Sequence, residues 1–150
     1  MTLCKIPVSL LSLLILSACF SAQPEYADLQ TKTFDAGNTR SILIRINRGE
    51  LVILESEGGQ IGVNGQTLYP NEVDYKIDYV GDQIVINIQD QHRGLSKNLV
   101  QINVSVPGGI KVEVESDNAS VLIQGYHGEL EVESTSGNVT VENTTVDLTL

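Results

Sequence analysis

Tryptophan is absent, aromatic residues make up 5%, and histidine and cysteine occur only as His92, His127, Cys4 and Cys19. Each shortage removes a class of function. Cys4 lies in an amino-terminal segment expected to be cut away, so the mature chain has no intramolecular disulfide and no thiolate metal cluster. A zinc site built on two imidazoles would need carboxylates gathered from several strands. Without tryptophan, the indole platforms that many sugar binders use are missing. Basic residues are scarce as well, 9 Lys and Arg against 19 Asp and Glu in 150 residues, for a net charge of −10. That balance repels phosphate backbones and anionic headgroups, which excludes a nucleic-acid partner and a polybasic membrane sensor. No His-Glu-x-x-His, Walker loop, Gly-x-Ser-x-Gly or Gly-x-Gly-x-x-Gly occurs. Neither a cofactor nor a catalytic residue is predicted, and the length fits one domain.

What is present begins with an address. Lys5 precedes an apolar run from Ile6 to Leu16, interrupted by Pro7, Ser9 and Ser12. At roughly a dozen residues it falls short of the about 20 that span a bilayer, and it reads as an export signal. It ends in Leu16-Ser17-Ala18-Cys19, a branched residue and two small ones before a thiol. This resembles the lipobox of bacterial lipoproteins. The resemblance implies cleavage before Cys19 and a diacylglyceryl thioether on it, so that the membrane is met through lipid. Two or three acyl chains hold where one dissociates, because burial is worth about 0.8 kcal/mol per methylene. In the lipoproteins it resembles, the absence of Asp after the cysteine, here Phe20, implies export to the outer membrane. The expected location is therefore the outer membrane if the host has one, or the outer face of a single membrane. Residues 1–18 are read as signal, 19–32 as lipidated cysteine and tether, and 33–150 as the domain. Ten flexible residues reach about 17–19 Å, which keeps the domain close to its anchor.

From Thr33 onward the apolar residues alternate, as in Ile42-x-Ile44-x-Ile46, Leu51-x-Ile53, Ile61-x-Val63 and Ile84-x-Ile86-x-Ile88. Period two punctuated by Gly, Asn and Asp predicts strands and no helix. Gly49-Glu50 links the first two runs, and Gly81-Asp82 between Tyr79-Val80 and Gln83-Ile84 predicts a two-residue hairpin. In the last third, apolar pairs at Val112/Val114, Val121/Ile123, Leu130/Val132, Val139/Val141 and Leu148/Leu150 recur every nine residues. Shifting Lys111 to Val132 by 18 gives six identities in 22, whereas a shift of nine over Lys111 to Val141 gives six in 31. The first favours a β-solenoid of about 18 residues per coil over an antiparallel meander of nine-residue units. In a coil, residues 18 apart would stack about 4.8 Å apart in parallel ladders. Ser116 to Ser120 and Ser134 to Asn138 would turn its corners.

The runs Val100-x-Ile102-x-Val104-x-Val106-Pro107 and Val112-x-Val114-x-Ser116, followed by Ser136-Gly137-Asn138-Val139-x-Val141, carry a family resemblance. Over about residues 40 to 150 the chain resembles the bacterial "putative adhesin" family of β-strand repeats, related to the head-GIN domain. The resemblance implies an all-β fold, a short β-solenoid preceded by β-hairpins, outside the cytoplasm. It implies adhesion or protein and self association rather than catalysis, and supplies no catalytic residues. Leu150 falls in mid-strand, so the sequence is expected to be a piece of a longer repeat or to end on an edge that pairs with a partner.

The candidate surface is the pair of columns Glu113/Glu131 and Glu115/Glu133, with Lys111 over Glu129 the one favourable match. Stacked carboxylates invite a divalent cation or, near 5 Å apart, glycosidase chemistry. The plainer reading is a solvated acidic face, and a convex ladder gives no cleft, so no enzyme is expected. Tyr75 and Tyr79 share a strand face with Ile77 and would stack on a sugar, or pack in the core. His92, Arg93 and Lys97 form the one basic cluster, either a contact for an anionic glycan or a solvated turn. An envelope glycan-binding module is therefore the alternative function. Sequons at Asn103, Asn118, Asn138 and Asn143 are read as turn and strand-face residues.

Overall fold

The computed structural model describes residues 25–94 and 99–149, without the side chains of 146–148. The signal, Cys19, Lys97 and Leu150 lie outside the described residues. Eleven strands follow in order: β1 (Ala27–Asp28), β2 (Lys32–Asp35), β3 (Ser41–Glu55), β4 (Gln60–Thr67), β5 (Val73–Val80) and β6 (Gln83–Asp90), then β7 (Val100–Val106), β8 (Lys111–Gln124), β9 (His127–Ser134), β10 (Val139–Glu142) and β11 (Thr145–Thr149). Single 3-10 turns at Ala36–Asn38 and Pro70–Glu72 are the only helical elements among the described residues. The all-β expectation holds.

The strands form one open, mixed sheet that branches, because β3 and β8 are long enough to pair twice. The first half of β3 lies parallel to β6 and the second half parallel to β7, while β8 runs beside its whole length. Beyond β8 the first branch continues through β9 to β11, and the second through β10. Every pairing in this part is parallel at a separation of 18 residues: Val112 with Leu130, Val121 with Val139, His127 with Thr145. The antiparallel meander is therefore not what forms.

Alternation places one side of each branch inward, and both inner faces share one apolar core. Ile42, Ile44, Ile84, Ile86 and Val112 come from the first branch, and Ile53, Val63, Ile102 and Ile123 from the second. Each fully buried aliphatic side chain is worth about 1.5–3 kcal/mol. Tyr126 is wholly buried among them, its hydroxyl donating to the Ile110 carbonyl, and burial pushes its ionisation up to about 12.

The bends of β3 and β8 share one device. Alternation lapses at Asn47-Arg48 and at Asp117-Asn118, and the next residue, Gly49 or Ala119, is buried. A methyl on Gly49, at φ 126°, would sit 2.4 Å from the Val100 carbonyl oxygen; one on Gly137, at φ 145°, would sit 2.2 Å from that of Ala119. The Ser116 hydroxyl accepts from the Ala119 N–H at 3.2 Å, and Thr135 N–H donates to the Ser116 carbonyl at 2.9 Å. Of the corners expected at 116–120 and 134–138, the second leaves strand structure between β9 and β10, whereas the first stays inside β8.

The first half of the chain corrects two expectations. Of the hairpins expected ahead of the repeat, the sequential one that forms is β5 with β6, closed at Gly81-Asp82 with Val80 opposite Gln83. Gly49-Glu50 closes no hairpin and lies inside β3, which turns the corner without reversing. β4 instead runs antiparallel to β7 and accepts β1 and β2 on its other side. Folding also begins before Thr33, inside the stretch read as tether: Ala27 pairs with Thr67, and Leu29 N–H donates to the Gly65 carbonyl at 2.7 Å. Leu29 packs against the core beside Gly65, an apolar contact that carries no periodicity to announce it.

Candidate functional site

The outward face of the first branch carries the glutamate columns at the expected register, Glu113 opposite Glu131 and Glu115 opposite Glu133. They are not bare like charges. Lys111 Nζ lies 3.0 Å from Glu113, 3.0 Å from Glu131 and 3.3 Å from Glu129, drawing three carboxylates to one ammonium. The hydrogen bonds to Glu131 and Glu113 hold that ammonium well above the usual lysine range. Arg45, in register with Glu115, donates to both of its oxygens at 2.7 and 3.3 Å, which raises the guanidinium further. Glu133 alone of the four has no cationic partner among the described residues. Lys111 thus occupies the position where a divalent cation would meet the columns. Repulsion between stacked carboxylates is relieved by the chain's own cations.

The two tyrosines part company. Tyr75 packs against the core with its hydroxyl buried and unpartnered, and burial raises its ionisation to about 12. Tyr79 stays 45% exposed, its hydroxyl 2.9 Å from that of Thr39. They do not form a joint stacking platform. Of the basic cluster, His92 and Arg93 fall within the described residues. The His92 ring stacks on Tyr69 at 4.2 Å, its Nδ1 lies 2.5 Å from the Glu72 carboxylate, and its carbonyl accepts from Arg48. Arg93 beside it is exposed. His127 is held in the same way, with its backbone N–H and Nδ1 both 2.8 Å from one Glu55 oxygen.

The second branch has an outward face that the alternation argument passed over. Val52, Leu54 and Leu122 point out of it, although the inward residues there are Leu51, Ile53, Val121 and Ile123. The register sets Val52 beside Leu122 and Leu122 beside Thr140, with Glu50, Ser120 and Asn138 next to them along the strands. These residues line a shallow groove of about 380 Å³. The signal was in the sequence: Leu51 to Leu54 and Val121 to Ile123 are continuous apolar runs, where a strand wetted on one face would alternate.

No protein family matches the chain by its sequence profile, and no curated protein matches it. Solved structures do. The chain is similar to a "putative cell adhesion protein" from Clostridium sporogenes, with 15% identity, 83% of this chain and 73% of that one covered, and a TM-score of 0.49. A "putative adhesin" from Bacteroides fragilis gives 14%, 77% and 62% coverage, and 0.47; one from Parabacteroides distasonis gives 9%, 81% and 67%, and 0.36. The chain spans less than two thirds of the Bacteroides protein.

Proposed function

We propose that the chain is a non-catalytic component of a bacterial cell envelope, anchored through lipid on Cys19, that presents a short β-solenoid for adhesion or for association with proteins or with its own kind. The parallel register of 18 residues from β8 to β11 carries this reading. Such a register repeats the same outward positions in straight columns, an extended surface rather than a cleft. The titratable side chains that chemistry would draw on are tied to neighbours: Glu113 and Glu131 to Lys111, His92 to Glu72, and His127 to Glu55. Among the described residues β10 and β11 each pair on one side. An open parallel edge accepts another strand, from a partner or a second copy.

The test compares protease access to the protein on intact and on lysed native cells, with Cys19→Ala as the anchor control. Digestion on intact cells, and release of the Cys19→Ala form from the membrane fraction, is the expected result. Protection until lysis would refute adhesion to anything outside the cell. Association through the edge predicts sedimentation that rises with concentration.

A further inference from the structure

An apolar residue on the outward face of an edge-rich, acidic domain costs solubility, so three of them side by side call for a contact. Val52 and Leu122 are half-buried, and Leu54 is 39% exposed beside them. Around this floor the side chains are amides, hydroxyls and one carboxylate. Glu50, Ser120, Asn138 and Thr140 stand at the groove itself. Gln101 and Asn103 continue the columns onto β7, where Gln101 Nε2 donates to Glu50 at 3.2 Å and Asn103 Nδ2 to Asn64 at 3.2 Å. These cross-strand bonds hold the polar groups in place before any ligand arrives. The groove has one carboxylate and no cation, in contrast to the glutamate columns on the other branch.

The geometry points to a binding groove for an uncharged saccharide chain on the outward face of β3, β8 and the edge strand β10, where side chains rather than the backbone groups of the edge make the contact. A sugar ring offers an apolar C–H face and a rim of hydroxyls that both donate and accept. Val52 and Leu122 match the first; Asn138, Ser120, Thr140 and the Glu50 carboxylate match the second. An anionic chain would meet Glu50 with no compensating charge. A fully apolar ligand would strip water from the polar walls without replacing its hydrogen bonds. A second copy of the chain is a poor fit by area: five strands about 4.8 Å apart and about five residues long give a face near 400 Å², half of the about 800 Å² per partner usual in stable complexes.

The test titrates the full-length chain, in detergent, with cellohexaose and chitohexaose, and with hexagalacturonate as the charged comparison, read by calorimetry. Saturable binding of at least one uncharged hexamer, weakened about tenfold or more by Leu122→Lys and by Asn138→Ala, is expected. The melting temperature of each variant shows whether it folds, and Asn138→Ala, at an exposed position, serves should Leu122→Lys fail to. Three results overturn the proposal: no saturable binding of either neutral hexamer, equal binding of the galacturonate, or binding that the folded variants retain. Were Leu122→Lys to abolish self-association in sedimentation while no sugar bound, the face would be a protein contact instead.

Discussion

At the scale of single residues, the bends are the most exacting positions. Alanine at Gly49 would need a positive φ and a carbonyl 2.4 Å from its methyl, so Gly49→Ala should cost at least about 1–3 kcal/mol in urea denaturation. Gly109, at φ 85° with nothing near its would-be Cβ, should accept Asn almost without loss, and an equal cost at the two sites would sink the explanation. A second prediction concerns acid. The hydrogen bond from His127 holds the Glu55 carboxyl below its usual range. A depressed folded pKa stabilises at pH values above the unfolded one, and that contribution disappears as the pH falls through the folded value. The melting-temperature gap between wild type and Glu55→Gln should therefore be widest near neutrality and shrink on acidification below the carboxylate range. A gap independent of pH would contradict it. The glutamate columns were legible because 18-residue spacing fixes who stands beside whom. Their neutralisation was less so, since the Arg45 partner comes from a strand 70 positions away from Glu115.

At the scale of elements, period two and turn chemistry identified the strands and the Gly81-Asp82 hairpin, both local features. Gly49-Glu50 looked like a connection because glycine allows reversal as readily as a bend, and only the Val100 carbonyl against it selects the bend. The inward and outward assignment makes a sharp prediction for β8. Ile123→Ala, removing a wholly buried side chain, should cost about 2–5 kcal/mol, whereas Leu122→Ala next to it should stay within about 0.5 kcal/mol. Denaturant midpoints on the two variants decide it, because a slip of one residue in register would exchange their costs.

At the scale of the molecule, β3 is the hub, flanked by β6 and β7 on one side and β8 on the other. None of these partners is its neighbour in sequence, and no repeat marks the match between Ser41 and Lys111, which is why the arrangement of the first half was not readable. Amides of β3 should exchange with solvent most slowly of all, and those of β1 and β2 fastest, in a native-state hydrogen-exchange experiment. Uniform protection across the sheet would contradict a hub. The second half obeys a different rule, since β9, β10 and β11 each rest on residues 18 positions earlier. An in-frame duplication of 18 codons there copies a segment already shaped to fit the one before it. The gene can thus change length in whole steps, adding about 4.8 Å of surface each time while the hub stays intact. The same insertion between β3 and β7 would tear pairings that no copy could restore.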